Sequence, residues 1–457
     1  MKRPQFFLIV LVLIGIFQNH AQEKDVPRES QDLQKLTHLF TRGKLEGHIR
    51  NYFMLTHNQG NLKDYYTDAV GGSIAFRTMP INGFEAGVKG LFTYSAFSAD
   101  LNAPDPITGG TAKWEHQLYD ITNPYNLNDL DRLEHLYLKY RFSSGYVTYG
   151  KMEIEDTPLL NESDDRMKPF AFKGVWMHLD QRGHTLDLSW IDRVSPRSTV
   201  EWFDFNEAIG IEDNGYQPNG TPAHYHERTE SRGIALLNYE YRYDHWRFRY
   251  NHWYLHRISN TGMLHLEYDI PGWRFGMQYA LQTPDHFQAA LPYAERYMQE
   301  GEQGQVFSSM AEFRRSGWMV NASFSKAFAS GRFLFPRELG RDHFYTSVQR
   351  SRLDGFGDAA VFTLRGGWDL HQKGMFLLTQ FTGVYGPEVG DYRFNKYNLD
   401  SYYLWNTKFT WHLHNFFEGL NLELLYVRKW NRNNSTPEVV FNSSNLGQLN
   451  FIVNYEF

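Results

Sequence analysis

From about residue 45 to its end the chain consists of short segments in which apolar and polar side chains alternate, and a period of two belongs to β-strands. In "GFEAGVKGLFTY" Phe84, Ala86, Val88, Phe92 and Tyr94 oppose Glu85, Lys89 and Thr93. In "EHLYLKYRF" Leu136, Leu138, Tyr140 and Phe142 oppose His135, Tyr137, Lys139 and Arg141; in "DHWRFRYNHWYLHR" Trp246, Phe248, Tyr250 and Tyr254 oppose Arg247, Arg249 and Asn251. Helical periodicity is nearly absent over the same range. The spacers alternate too. Short ones such as "PING" (80–83), "DQRG" (180–183) and "SGW" (316–318) read as tight turns, and long ones fall between them at 95–131, 155–172, 195–231, 284–305, 329–358, 386–400 and 431–445. The segments add up to roughly 18 strands, an even number of the kind found in outer-membrane barrels.

Composition decides between a soluble β-fold and a barrel in lipid. Aromatic residues make up 17% of the chain (29 Tyr, 35 Phe, 12 Trp), and Tyr and Trp in this excess suit surfaces that are apolar at one end and wet at the other. A propeller would repeat every ~40–50 residues, and no such period is present. After the N-terminal region no run of 18 apolar residues occurs, so a membrane role requires strands, about 9–11 residues each. The expectation is an all-β, transmembrane antiparallel β-barrel over residues 44–457, with short periplasmic turns and long extracellular loops. The final strand, "QLNFIVNYEF", fits this: Leu449, Phe451, Val453, Tyr455 and Phe457 share one face, and Tyr455 and Phe457 read as a C-terminal barrel-assembly signal facing lipid at the periplasmic rim.

The N-terminus indicates the compartment. Lys2 and Arg3 precede the apolar run "FFLIVLVLIGIF" (6–17) and a polar stretch ending at Ala21, the order of a secretory signal peptide (1–21), followed by a short periplasmic segment (22–43). Cleavage after Ala21 leaves 44 Lys and Arg against 52 Asp and Glu, a formal charge of −8, which argues against nucleic acid as a partner. There are no cysteines, so neither disulfides nor a lipid anchor through Cys is available. Export and barrel together point to the outer membrane of a Gram-negative-type bacterium, with outer-membrane lipid and the barrel-assembly machinery as partners.

Three stretches resemble the OprD-like family of outer-membrane porins, 18-stranded substrate-selective channels that include chitoporin-like members. They are "GHIRNYFM" (47–54), "VTYGKMEIEDTPLLNESDDRMKPFAFKGV" (147–175) and "FPRELGRDHFYTSVQRSRLDGFGDAAVFTL" (335–364), similar to the family's opening strand, third-loop and seventh-loop regions. The resemblance implies third and seventh loops that fold inward and narrow the lumen, a ladder of basic side chains on one wall, an electronegative patch opposite, and often a homotrimer.

Strand parity places Arg50, Lys89, Lys139, Arg141, Arg242, Arg247, Arg249, Arg365 and Lys408 on polar, lumen-facing positions. Such a row offers a carboxylate successive sites of similar energy, and Arg favours planar carboxylates over chloride. Constriction-loop candidates are Ser163, Asp164, Asp165 and Arg166 in the third loop and Glu338, Asp342 and Tyr345 in the seventh. Inward Tyr52, Tyr137 and Trp253 would instead serve an oligosaccharide slide. The reading is passive, substrate-selective diffusion of small polar solutes (amino acids, small carboxylates or oligosaccharides).

Catalytic and metal chemistry find little support. His224 and His226 in "HYHERTE", with Glu227 next to them, could share a metal but lie in a long loop beside no further obvious ligand; "SFSK" (323–326) lies on an alternating strand; no G-x-S-x-G elbow is present. No cofactor and no metal are expected. A barrel enzyme of protease or lipase type, or an adhesin or receptor using its long loops, is the alternative. An energised importer is disfavoured, because it would carry a plug of more than about a hundred residues before its 22-stranded barrel.

Overall fold

The computed structural model describes residues 41–457 apart from 129, 155–156, 162–165 and 415–416, so the signal peptide, most of segment 22–43 and candidates Ser163, Asp164 and Asp165 lie outside the described residues. The strands in chain order are β1 (Lys44–Asn58), β2 (Tyr65–Arg77), β3 (Phe84–Ser98), β4 (Arg132–Phe142), β5 (Gly145–Met152), β6 (Ala171–Gln181), β7 (His184–Ser195), the two-residue β8 (Phe203–Asp204), β9 (Ile234–Tyr243) and β10 (Trp246–Leu255). They continue as β11 (Ser259–Ile270), β12 (Trp273–Pro284), β13 (Gly304–Arg315), β14 (Trp318–Ala327), β15 (Ala359–Leu370), β16 (Met375–Tyr385), β17 (Tyr402–His412), β18 (Leu420–Asn431) and β19 (Leu446–Glu456). β7 pairs directly with β9, and β8 adds only a short ladder at the end of β7. β19 returns to β1 in antiparallel register from His48↔Glu456 to Asn58↔Leu446. The result is a closed antiparallel barrel of 18 strands with no free edge.

Alternation selects the faces. On β10, Trp246 and Phe248 point outward and are exposed, whereas Asn251 and Trp253 point inward and are buried. Outward aromatics gather near the turns, as in Trp318 stacked on Trp368 (5.1 Å) and Trp246 against Tyr268 (4.5 Å), and again near the loops, as in Phe324 against Phe362 (4.8 Å) and Tyr403 against Trp430 (5.9 Å). Trp246 and Tyr254 lie eight residues apart on β10; at ~3.3 Å per residue and ~40° tilt they bracket ~20 Å, close to the lipid-facing band of such barrels. An outward surface this apolar is suited to lipid, as in a membrane-spanning barrel. Gly71 and Gly72 let β2 pack closely against β1 and β3: a Cβ there would run into the Phe92 and His48 carbonyls of the neighbouring strands.

One rim carries tight turns. At 182–183 and 316–317 both central residues have positive φ (Arg182 52°, Gly183 81°; Ser316 50°, Gly317 82°), the twist that matches a two-residue hairpin. The opposite rim carries nine connections, numbered here as loops 1 to 9 (59–64, 99–131, 153–170, 196–233, 256–258, 285–303, 328–358, 386–401 and 432–445). Many of their apolar residues turn inward, and the main apolar core sits inside the outer half of the barrel: Leu159, Leu160, Phe333, Leu339, Phe344 and Phe356 pack against the inner wall.

Candidate functional site: an outer cap and an inner vestibule

Loops 3 and 7 are locked together across the lumen. Leu160 and Gly340 form a β-bridge, the Asn161 Nδ2 donates to the Arg341 carbonyl (2.8 Å), and the His343 N–H donates to the Pro158 carbonyl (3.0 Å). Loop 7 is also pinned to the wall. Tyr345 donates its hydroxyl to Glu267 (3.0 Å), and Gly276 leaves room for that ring, since a Cβ there would meet its hydroxyl at 2.5 Å. Arg365 donates Nη1 to the Tyr345 carbonyl (2.7 Å) and Nη2 to the Ser347 carbonyl (2.9 Å).

Below this cap the lumen opens into a vestibule of about 1450 Å³ towards the periplasmic rim. Among the described residues seven Lys or Arg and seven Asp or Glu side chains border it, so its formal charge is balanced. Arg50, Lys89, Lys139, Arg242 and Arg249 are five of those cations. Most have a near neighbour of opposite or π character: Lys89 pairs with Glu134 (3.2 Å), Arg249 and Arg242 share Glu240, and Lys139 lies over the Tyr146 and Tyr137 rings (4.7 and 5.5 Å). Arg50 donates to Asn454 (2.6 Å) and to the Arg166 carbonyl (2.7 Å), which ties the wall to loop 3.

The other four predicted cations also occupy inward positions of the register but do not border the vestibule. Arg141 pairs with Glu85 (3.0 Å), Arg247 with Glu267 (3.2 Å) and Lys408 with Glu423 (2.6 Å), while Arg365 holds loop 7. Of the inward aromatics, Tyr137 borders the vestibule, whereas Tyr52 and Trp253 are buried beneath the loops.

The acids predicted for loop 7 act inside the loop fold. Glu338 accepts the Gly210 and Glu212 N–H groups (2.9 Å each), and burial, with Glu212 nearby, holds its carboxyl above the usual range. Asp342 accepts the Leu353 N–H (3.0 Å) and the Ser347 hydroxyl (3.3 Å), and burial raises it as well. Neither borders the vestibule.

Within the cap lies a second, small cavity of about 100 Å³. Loop 7 supplies Arg337, Arg341, Arg350 and Arg352 to its lining. Lys113 comes from loop 2, Arg166 from loop 3, Arg197 from loop 4 and Lys429 from β18. Against these eight cations stand two described carboxylates, Glu212 and Asp354. Both are engaged: Glu212 faces Arg197 at 3.7 Å and Asp354 faces Arg337 at 3.1 Å. Trp114 forms an aromatic floor under Arg350 (5.3 Å) and Arg166 (5.7 Å). The crowding registers chemically: burial, then Arg197 and Arg337, bring Arg352 down to about 10, and burial lowers Lys113. Apart from Arg166, none of these lining residues was singled out from sequence.

No family model matches the sequence, and no curated protein matches it. Solved structures do match the fold. The chain is similar to Pseudomonas aeruginosa OccK3 (OpdO) at 15% identity and a TM-score of 0.67, over 94% of this chain and 99% of that one. It is also similar to Pseudomonas aeruginosa OccK9 (OpdG) at 13% identity and 0.70, over 92% and 99%. Acinetobacter baumannii OccAB4 matches at 11% identity and 0.68, over 91% and 98%. The fold is therefore that of the 18-stranded OprD-type channels, as the three sequence stretches implied.

Proposed function

We propose that this barrel is a passive channel for small polar solutes, with anions preferred at its outer end. The carrying observation is the difference in charge along the lumen: eight cations against two described carboxylates around the outer cavity, then a balanced vestibule. Charges in a water-poor, loop-filled region act at lower effective dielectric, so this excess dominates the field an entering solute meets. Arg forks suit carboxylates and other planar oxyanions better than chloride. The matching fold supports a channel, and one neighbour, OpdK of Pseudomonas aeruginosa, was crystallised with vanillate, itself a carboxylate.

The test is single-channel current in a planar bilayer under a salt gradient. Wild-type protein should give discrete steps and a reversal potential of anion-selective sign. Replacing Lys113 and Arg352 together by Gln should move that potential towards zero. Silence from a folded barrel overturns the channel reading; cation selectivity in the wild type overturns the anion reading.

A further inference from the structure

The outer surface carries a charge arrangement that solute passage does not use. Lys151 on β5, Lys173 on β6 and Arg193 on β7 occupy directly paired positions, Lys151↔Lys173 and Lys173↔Arg193, at the loop ends of their strands. They belong to the outward set: Tyr149, Val175 and Trp190, below them on the same strands, are exposed towards lipid. Three cations side by side across a sheet repel one another and are destabilising unless something else compensates.

Protein groups compensate only in part. Asp192 lies 4.0 Å from Lys173, Glu201 is the carboxylate acting on Lys151, and Asp204 of β8 stands in register with Arg193 without forming an ion pair to it among the described residues. Lys151 and Arg193 have no ion pair among the described residues, whereas at the same rim Lys326 pairs with Asp358 (2.8 Å) and Arg257 pairs with Glu230. Trp202 completes the patch. Its ring centre lies 4.4 Å from the Lys151 Nζ, and its Nε1 donates to the Leu133 carbonyl (3.1 Å), so an indole is fixed beside the row where lipid tails give way to headgroups.

We infer that the Lys151–Lys173–Arg193 row, flanked by Trp202, is a binding site for the phosphate groups of an outer-leaflet glycolipid headgroup. The match is one of charge and level. An apolar surface continuous with the row (Leu133, Leu136, Tyr149 and Val175) receives the acyl chains, while two ammonium groups and a guanidinium fork face the phosphates.

The test uses full-length barrel in phosphatidylcholine nanodiscs doped with bis-phosphorylated lipid A or with the same lipid stripped of its phosphates. Bound lipid is counted by native mass spectrometry. Wild type should retain the phosphorylated lipid, and the triple variant K151Q/K173Q/R193Q should lose retention by about ten-fold or more, an effect that added salt mimics only partly at a desolvated site. The variant should unfold no more easily than wild type in neutral detergent, because it removes mutual repulsion, and its channel steps should be unchanged. Equal retention by the variant, or equal retention of the dephosphorylated lipid, overturns the inference. So does displacement by inorganic phosphate alone, which makes the row a free-anion site, or a change of oligomer size in the variant, which makes it a contact between copies.

Discussion

Arg365 was expected from strand parity to line the pore, and its geometry leads to a different prediction. Its guanidinium holds two loop 7 carbonyls, of Tyr345 and Ser347, at 2.7 and 2.9 Å, and also reaches Asn321 (3.1 Å). Arg365→Met keeps the length of the side chain and removes the fork. A hydrogen bond to a charged donor contributes about 1.5–3 kcal/mol, and relief from burying the charge returns part of that, so losing two carbonyl bonds costs loop 7 docking about 3 kcal/mol. At ~1.4 kcal/mol per ten-fold, the undocked state gains about a hundred-fold in population. Docking survives as the majority state, because Tyr345 to Glu267 (3.0 Å) and Thr363 to the Thr346 carbonyl (3.0 Å) remain. Single-channel recording of R365M should show new, longer-lived high-conductance events and an otherwise normal main level. Unaltered conductance and noise in a folded variant would refute the tether, and a loss of anion preference without new levels would return Arg365 to the pore wall.

Two further outcomes follow from named groups. Burial holds the loop 2 acid Glu115 at about 7, against its ordinary 4.5. The docked loop thus binds the proton more tightly than an undocked one, and this contribution is full below about pH 4.5 and lost as pH rises through about 7. Loop-opening events should become more frequent between pH 5 and 8, and Glu115→Gln should flatten that profile. At the seam, Phe457 exchanges both backbone hydrogen bonds with Gly47 (3.0 Å each) and its ring lies against Tyr455 (6.1 Å); Phe457→Ser should lower the yield of folded, heat-modifiable barrel in the outer membrane while leaving the channel steps of surviving protein unchanged.

Alternation made the wall legible because it is a local property. A period of two fixes which side chains share a face whatever the rest of the chain does, so the inward positions of Arg50, Arg249 and Lys408 followed from their neighbours alone. Turn chemistry was legible for the same reason. The connections at 59–64 and 256–258 were not, since they are as short as the turns and lie on the loop rim. The cap was hidden for a deeper cause. Its cations come from loops 2, 3, 4 and 7 and from β18, segments that meet only after the barrel has closed. Loop residues have no parity that announces a face. "SVQRSRLD" does hold Arg350 and Arg352 with a shared spacing, a signal that only the fold turns towards Lys113 and Arg197. In the same way, Glu338 and Asp342 read as constriction acids in sequence, yet Glu338 accepts backbone N–H groups of loop 4 and Asp342 accepts one of loop 7.

The order of the two cavities has a consequence for transport under the proposed reading. A site that only attracts is a trap, because the energy that draws an anion in must be overcome before it leaves. The outer cavity is narrow and lined, among the described residues, by eight cations against two carboxylates, so attraction is concentrated where the solute must shed most of its water. The vestibule beneath is more than ten times larger, and there Lys89, Arg242 and Arg249 already have carboxylate partners. A solute passing Arg50, the residue that joins the two spaces through the Arg166 carbonyl, meets cations whose fields are largely cancelled and water that can restore its hydration. Capture at the outer end and release at the inner end then need no moving part, and the rate-limiting step falls at the cap. Widening the vestibule should change the flux little, whereas loosening loop 7 should change it strongly.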